Sequence, residues 1–145
     1  MFRKTSLMIV WIIIAAIGWP LATHAQGPAR PAAGSPTSKA ALIQAIVCEE
    51  VKDGIPYNAS VAFSISAGKI YCFTFFDSIT EEMPIYHHWI FRDRPSARIR
   101  LSLKPSRWAT FSSIQLREAD KGPWRVEITY ASGRVFKILR FSVTD

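Results

Sequence analysis

Covalent chemistry in this chain would have to start at Ser112 or Ser113, because a hydroxyl attacks only when a base can take its proton. A histidine is the natural base, and His87 and His88 are the two that survive if the N-terminal leader described below is removed. The arrangement is loose. No nucleophile elbow, phosphate-binding glycine loop or zinc-ligand spacing accompanies it, and Glu49-Glu50 and Glu81-Glu82 read as solvated charge. Neighbouring residues of a strand face opposite ways, so His87 and His88 cannot share one ion in regular geometry. The expectation is no catalytic residue, no metal and no cofactor, with a hydrolase using a histidine and Ser112 or Ser113 kept as an alternative.

Other residues suit binding better than bond-breaking. Trp89, Trp108 and Trp124 would make a stacking platform for sugar rings if exposed. Each lies on the apolar side of an alternating run, however, which drives a large indole to the core. Tyr57, Tyr86 or Phe111 would then supply an exposed ring. His87 shares the Trp89 side and reads as a hydrogen-bonded core histidine. Arg92, Arg94, Arg98 and Arg100 gather around one turn and could meet an anionic glycan, a phosphate-bearing surface or an acidic protein; a solvated strand face is the plainer reading. Cys48 and Cys72 are the only cysteines. A bridge between them, in an oxidising compartment, and two separate buried thiols are both open.

The elements that must position these residues follow from the pattern of the chain. Residues 1–25 read as a secretory signal peptide: Arg3 and Lys4, an apolar run from Leu7 to Leu21, and a small-residue cleavage signal ending at Ala25. The apolar run falls short of the ~20 residues needed to span a bilayer. A periplasmic or secreted chain with no transmembrane segment after processing is therefore expected, the alternative being an N-terminal anchor in the inner membrane. Residues 26–39 are a Pro/Ala/Gly-rich stretch without a large apolar side chain, a disordered linker. The formal net charge of +7 includes Arg3 and Lys4, so the processed chain stays mildly basic. Export, and the lack of a recognition helix or ribonucleoprotein signature, argue against nucleic acid.

From residue 40 to 145 the sequence changes to short β-branched and aromatic runs punctuated by Gly, Pro, Asp and Ser, with no sustained 3.6-residue period. Seven strands are predicted, near 42–50, 69–76, 84–92, 96–103, 107–114, 123–131 and 134–143. A short edge strand is plausible where Val61, Phe63 and Ile65 alternate. Ile85, His87, Trp89 and Phe91 share one face of the third run, opposite Tyr86, His88, Ile90 and Arg92. In the fourth, Ile99 and Leu101 oppose Arg98 and Arg100. In the sixth, Trp124, Val126, Ile128 and Tyr130 oppose Arg125, Glu127 and Thr129. A Ser132-Gly133 turn closes a terminal hairpin. The fold expected is all-β: an immunoglobulin-like antiparallel β-sandwich of seven or eight strands, with a small β-barrel as the alternative.

Several of these stretches together resemble a known family. They are Val51-Lys-Asp-Gly-Ile-Pro, Gly68-Lys-Ile-Tyr-Cys-Phe, His87-x-Trp89, Arg107-Trp108-x-Thr110-Phe111-Ser112-Ser113, and Gly122-x-Trp124-x-Val126 leading to Gly133 and Phe141-x-Val143. They resemble, over about 45–143, the bacterial family catalogued as domain of unknown function 2914. The resemblance implies a small β-rich domain behind a leader, membrane helix or Pro-rich linker, and no established activity. His88 stands where the family often has Arg, and Arg92-Asp93-Arg94-Pro95 replaces an Asn-Gly type of turn. The function expected is a non-catalytic exported binding or interaction module for a cell-envelope glycan or an envelope protein, meeting it through the Arg face. A structural spacer is a further alternative.

Overall fold

The runs of β-branched and aromatic residues form nine strands: β1 (Ala41–Lys52), β2 (Ile55–Ala59), β3 (Ala62–Ser64), β4 (Lys69–Asp77), β5 (Met83–Phe91), β6 (Arg94–Leu103), β7 (Trp108–Gln115), β8 (Gly122–Tyr130) and β9 (Val135–Thr144). The computed structural model describes residues 39–145, so the expected leader and all but the last residue of the expected linker lie outside the described residues. Among the described residues no helix is long and apolar enough to cross a membrane.

Two sheets face each other, one in the order β2-β1-β4-β7 and one in the order β3-β9-β8-β5-β6. The β-sandwich is therefore borne out, and the sheets do not close into a barrel. All seven expected strands are present within two residues of their bounds. The link after the first strand supplies β2 and β3 rather than one edge strand, and β3 runs parallel to β9, the sole departure from antiparallel pairing among the described strands.

Two tight turns follow from residue chemistry. Lys52 pairs with Ile55 across Asp53-Gly54, whose φ values are 50° and 73°, the two left-handed positions a two-residue hairpin of this twist requires. Phe91 pairs with Arg94 across Arg92-Asp93 at φ 46° and 63°. A residue with a Cβ strains there by roughly 1 kcal/mol. Arg92 offsets this strain with its own contacts. Its backbone N–H donates to the Pro123 carbonyl at 3.1 Å, its Nη2 to the Lys121 carbonyl at 2.8 Å, and its guanidinium lies 4.9 Å from the Phe91 ring. The side chain pins this hairpin to the start of β8. Gly122, at φ 132°, keeps the space clear, since a Cβ there would sit 3.1 Å from Arg92 Nε.

The core lies between the sheets: Ile70 and Phe76 from one side against Ile85, Trp89, Val126, Ile128 and Phe141 from the other. Trp124 stacks on Phe91 and Phe141. Trp89 and Trp124 are thus core residues. Trp108 is half-buried at the sandwich margin, with Lys104 Nζ 5.3 Å from its ring.

The outer faces differ. On the five-stranded sheet the alternation leaves Tyr86, His88, Arg98, Arg100, Arg125, Glu127 and Arg140 outward. On the four-stranded sheet it leaves Tyr71, Phe73 and Phe75 of β4 outward, flanked by Phe111 of β7, Ile46 and Cys48 of β1, and Ile55, Tyr57 and Ala59 of β2.

Candidate functional site

One polar constellation bridges the sheets inside the core. β5 carries His87 and Trp89 inward, β4 carries Thr74, and β7 carries Ser112. Trp89 Nε1 donates to Ser112 Oγ at 3.0 Å, Ser112 Oγ lies 2.8 Å from His87 Nδ1, His87 Nε2 lies 3.4 Å from Thr74 Oγ1, and Thr74 Oγ1 donates to the Thr110 carbonyl at 3.3 Å. An indole can only donate and a carbonyl can only accept, which fixes the direction of the chain between them. Ser112 donates to Nδ1, and the imidazole carries its proton on Nε2 for Thr74. Every member is satisfied. Burial, with a smaller contribution from neighbouring His88, pushes the His87 pKa down to about 4, so the ring is neutral.

The fold thus brings a Ser–His pair together at hydrogen-bond distance, with both side chains in the core: His87 is 0% and Ser112 5% exposed. The Ser112 oxygen also already accepts from the indole. A reacting carbonyl has no approach to it, and the contact serves to join the two sheets. Ser113 pairs with Tyr71 on the outward face, away from His87. His88 also turns outward, between Arg98 and Glu127, with Nε2 3.0 Å from Thr129 Oγ1. Its pKa is lowered by partial burial and by Arg98, Glu127 opposing. Among the described residues no group of three or more His, Cys, Asp or Glu is placed to hold a metal ion.

Of the two alternatives open for Cys48 and Cys72, the bridge is not formed; both are buried free thiols. The register explains why. Cys72 lies opposite Val47 and Cys48 opposite Tyr71, so the two side chains leave opposite faces of the same sheet. Their Cβ vectors diverge, and a disulfide needs Cβ atoms within ~4.5 Å. Burial pushes both thiols above their ordinary range, which keeps them unreactive. Titration of the denatured, unreduced protein should find both thiols free, and a count of none would mean that the two strands pair in another register.

The four arginines separate into two groups. Arg98 and Arg100 share the outward face of β6, with the Arg98 guanidinium 3.9 Å over the Tyr86 ring. Arg94 is exposed beside the turn, while Arg92 is drawn to the Lys121 carbonyl. Two further arginines join the face. Arg125 of β8 lies directly opposite Arg140 of β9, and both line a depression of about 140 Å³ with Ile90, Arg92, Asp93, Pro123 and Trp124. Like charges opposite one another cost stability. Arg125 is compensated by Asp93 and by Glu127, the latter at 2.8 Å, whereas Arg140, Arg98 and Arg100 have no acidic partner among the described residues. Alternation in the sequence places Arg125 outward; its meeting with Arg140 depends on a strand register no local pattern displays.

No curated protein matches the chain. The match that is found begins just before β5 and ends within β9, taking in every strand of the five-stranded sheet except β3, together with β7. It contains His87, Trp89, Ser112 and Trp124, and leaves out the earlier stretches on which the resemblance also drew. Over residues 82–143, then, the chain is similar to the family described as Protein of unknown function (DUF2914), whose model matches there.

Proposed function

We propose that this chain is a non-catalytic exported binding module that holds an anionic polymer of the cell envelope on the outer face of its five-stranded sheet. The observation that carries the reading is the unbalanced arginine surface around Ile90. Arg98 and Arg100 stand on one side, and Arg140, beside the compensated Arg125, on the other. Strands spaced ~4.8 Å apart put β6 and β9 roughly 14 Å from one another, so the cations form a track rather than a point site. A track suits a polymer with repeated uronate or phosphate groups better than a small ion. The inward partners Ile99, Leu101, Val126 and Leu139 hold the strands to the core, which leaves the arginine heads free to follow a ligand.

The test is retention of the exported chain on an immobilised polyuronate, with neutral dextran as control and N-terminal sequencing of the same material, expected to begin at Gln26. Wild type should bind at low salt and elute as the Debye length shortens from ~10 Å at 0.1 M to ~3 Å at 1 M. The triple variant Arg98→Ser, Arg100→Ser, Arg140→Ser should pass through, with its urea midpoint nearly unchanged because exposed charges contribute little to folding. Equal retention of the variant would remove this face from the reading.

A further inference from the structure

The outer face of the four-stranded sheet carries no role in that reading, and its composition is unusual for a surface. An antiparallel sheet with one side in water alternates apolar inward and polar outward. In β4 both sides are largely apolar: Ile70, Cys72 and Phe76, with Thr74, point to the core while Tyr71, Phe73 and Phe75 point away. Phe111 and Tyr57 on the same face are each 45% exposed and Ile55 is 53% exposed. An apolar patch of this kind, bounded on the same face by Gln44, Ser113 and the Glu50–Lys52 ion pair, marks an interaction surface.

We propose that its occupant is a second copy of this chain, packed sheet against sheet about a two-fold axis that crosses β4 at Phe73. The outward row of β4 begins at Lys69 and ends at Asp77, four residues either side of Phe73. An axis perpendicular to the strand and passing over Phe73, itself only 3% exposed beneath its neighbours, sets Tyr71 against Phe75 and Lys69 against Asp77 at both ends. The row is therefore complementary to itself in both ring placement and charge. Asp77 also bridges Arg107 at 3.2 Å, and Arg107 lies 5.3 Å from the Phe75 ring, so the acid is already held at the rim where Lys69 would arrive. Lys69 lies 6.0 Å from the Tyr71 ring centroid and keeps the matching place at the other end. The arginine face cannot pair with itself in this way, because its uncompensated charges repel.

Four strands about 4.8 Å apart and nine residues of ~3.3 Å rise give a face of roughly 19 by 30 Å. Two such faces cover roughly 1,100 Å², just below the standard specific interface. That size fits a reversible dimer dissociating on the order of micromolar rather than an obligate one. A sugar ligand fits less well, since Lys69 and Arg107 already lie over the rings at the two ends of the row.

Sedimentation velocity of the purified chain, from about 1 to about 200 μM, should show a monomer–dimer equilibrium. Phe111→Glu places a charge on the face without touching the core and should weaken the dimer at least about tenfold, with Tyr57→Glu as the second variant if the first does not fold. Lys69→Asp should also weaken it, and adding Asp77→Lys should restore it. A monomer throughout the range, or a dimer that neither glutamate weakens, overturns the proposal, as does a face that captures glycan while the chain stays monomeric. No polyanion is present in this measurement, so it fails or succeeds independently of the arginine surface.

Discussion

Trp89→Ala should destabilise the domain by about 5 kcal/mol, the upper end of what removal of a buried aromatic costs. Trp89 is the largest of the fully buried side chains, it meets Phe141 edge-on, and it closes the core between the sheets. Its own strand, β5, is paired on both sides, so the backbone there cannot collapse into the space left behind. The variant also loses the donor that begins the hydrogen-bond chain through Ser112 to His87. Trp89→Phe isolates the two effects. It keeps most of the ring volume and removes the N–H, and should cost less than half as much. Domains of this size are stable by ~5–15 kcal/mol in total, so the alanine variant should be largely unfolded in mild urea. Urea titration followed by far-UV circular dichroism measures both. A loss under ~2 kcal/mol for Trp89→Ala would mean that the ring does not fill the core. Trp108→Ala, at the half-buried margin, supplies the contrast.

How much of this was legible in the sequence depended on whether the two faces of a strand differ. In β5, β6 and β8 they do, and the inward set His87, Trp89, Trp124 and Val126 reads directly from alternation. In β4 they do not. Ile70 to Phe76 is apolar on both faces, so period two carries no signal there, and the outward aromatic row could not be seen before the sheet was assembled. Asp53-Gly54 is a strong two-residue hairpin signal, but it sits in a link whose flanking runs are short and polar, which hid β2. Everything that depends on register was beyond reach. Cys48 and Cys72 are close in space yet on opposite faces, Arg125 meets Arg140, and His87 meets Ser112 across 25 residues of sequence. Of the motif residues, His87, Trp89 and Trp124 lie in the core as expected, while Trp108 stays half-buried at the margin; the partner that His87 and Trp89 share, Ser112, comes from the other sheet.

The buried imidazole makes stability depend on pH in a window set mainly by His87. Unfolded, this histidine titrates near 6.5; folded, burial holds it at about 4. A depressed histidine pKa means that the unfolded chain takes up a proton which the folded chain refuses. Its contribution is therefore fully present above ~6.5 and is lost as pH falls toward 4, below which both states are protonated and the loss levels off. A shift of this size corresponds to about 3 kcal/mol. The groups facing His87 do not counter it: Ser112, Thr74 and Trp89 are neutral, the side chains packed around them are apolar, and His88 lies on the other face with its own pKa lowered. Most carboxylates titrate below this window, so between about pH 4.5 and 6.5 the slope belongs mainly to the histidine. Urea midpoints for wild type should fall across that interval, while His87→Gln, less stable at pH 7 because it fits the Ser112–Thr74 span imperfectly, should hold a nearly constant midpoint. His88→Gln should keep most of the wild-type slope. If His87→Gln retained the full pH dependence, the proton would be entering somewhere other than the inter-sheet network, and the neutral imidazole would not be what the core is built around.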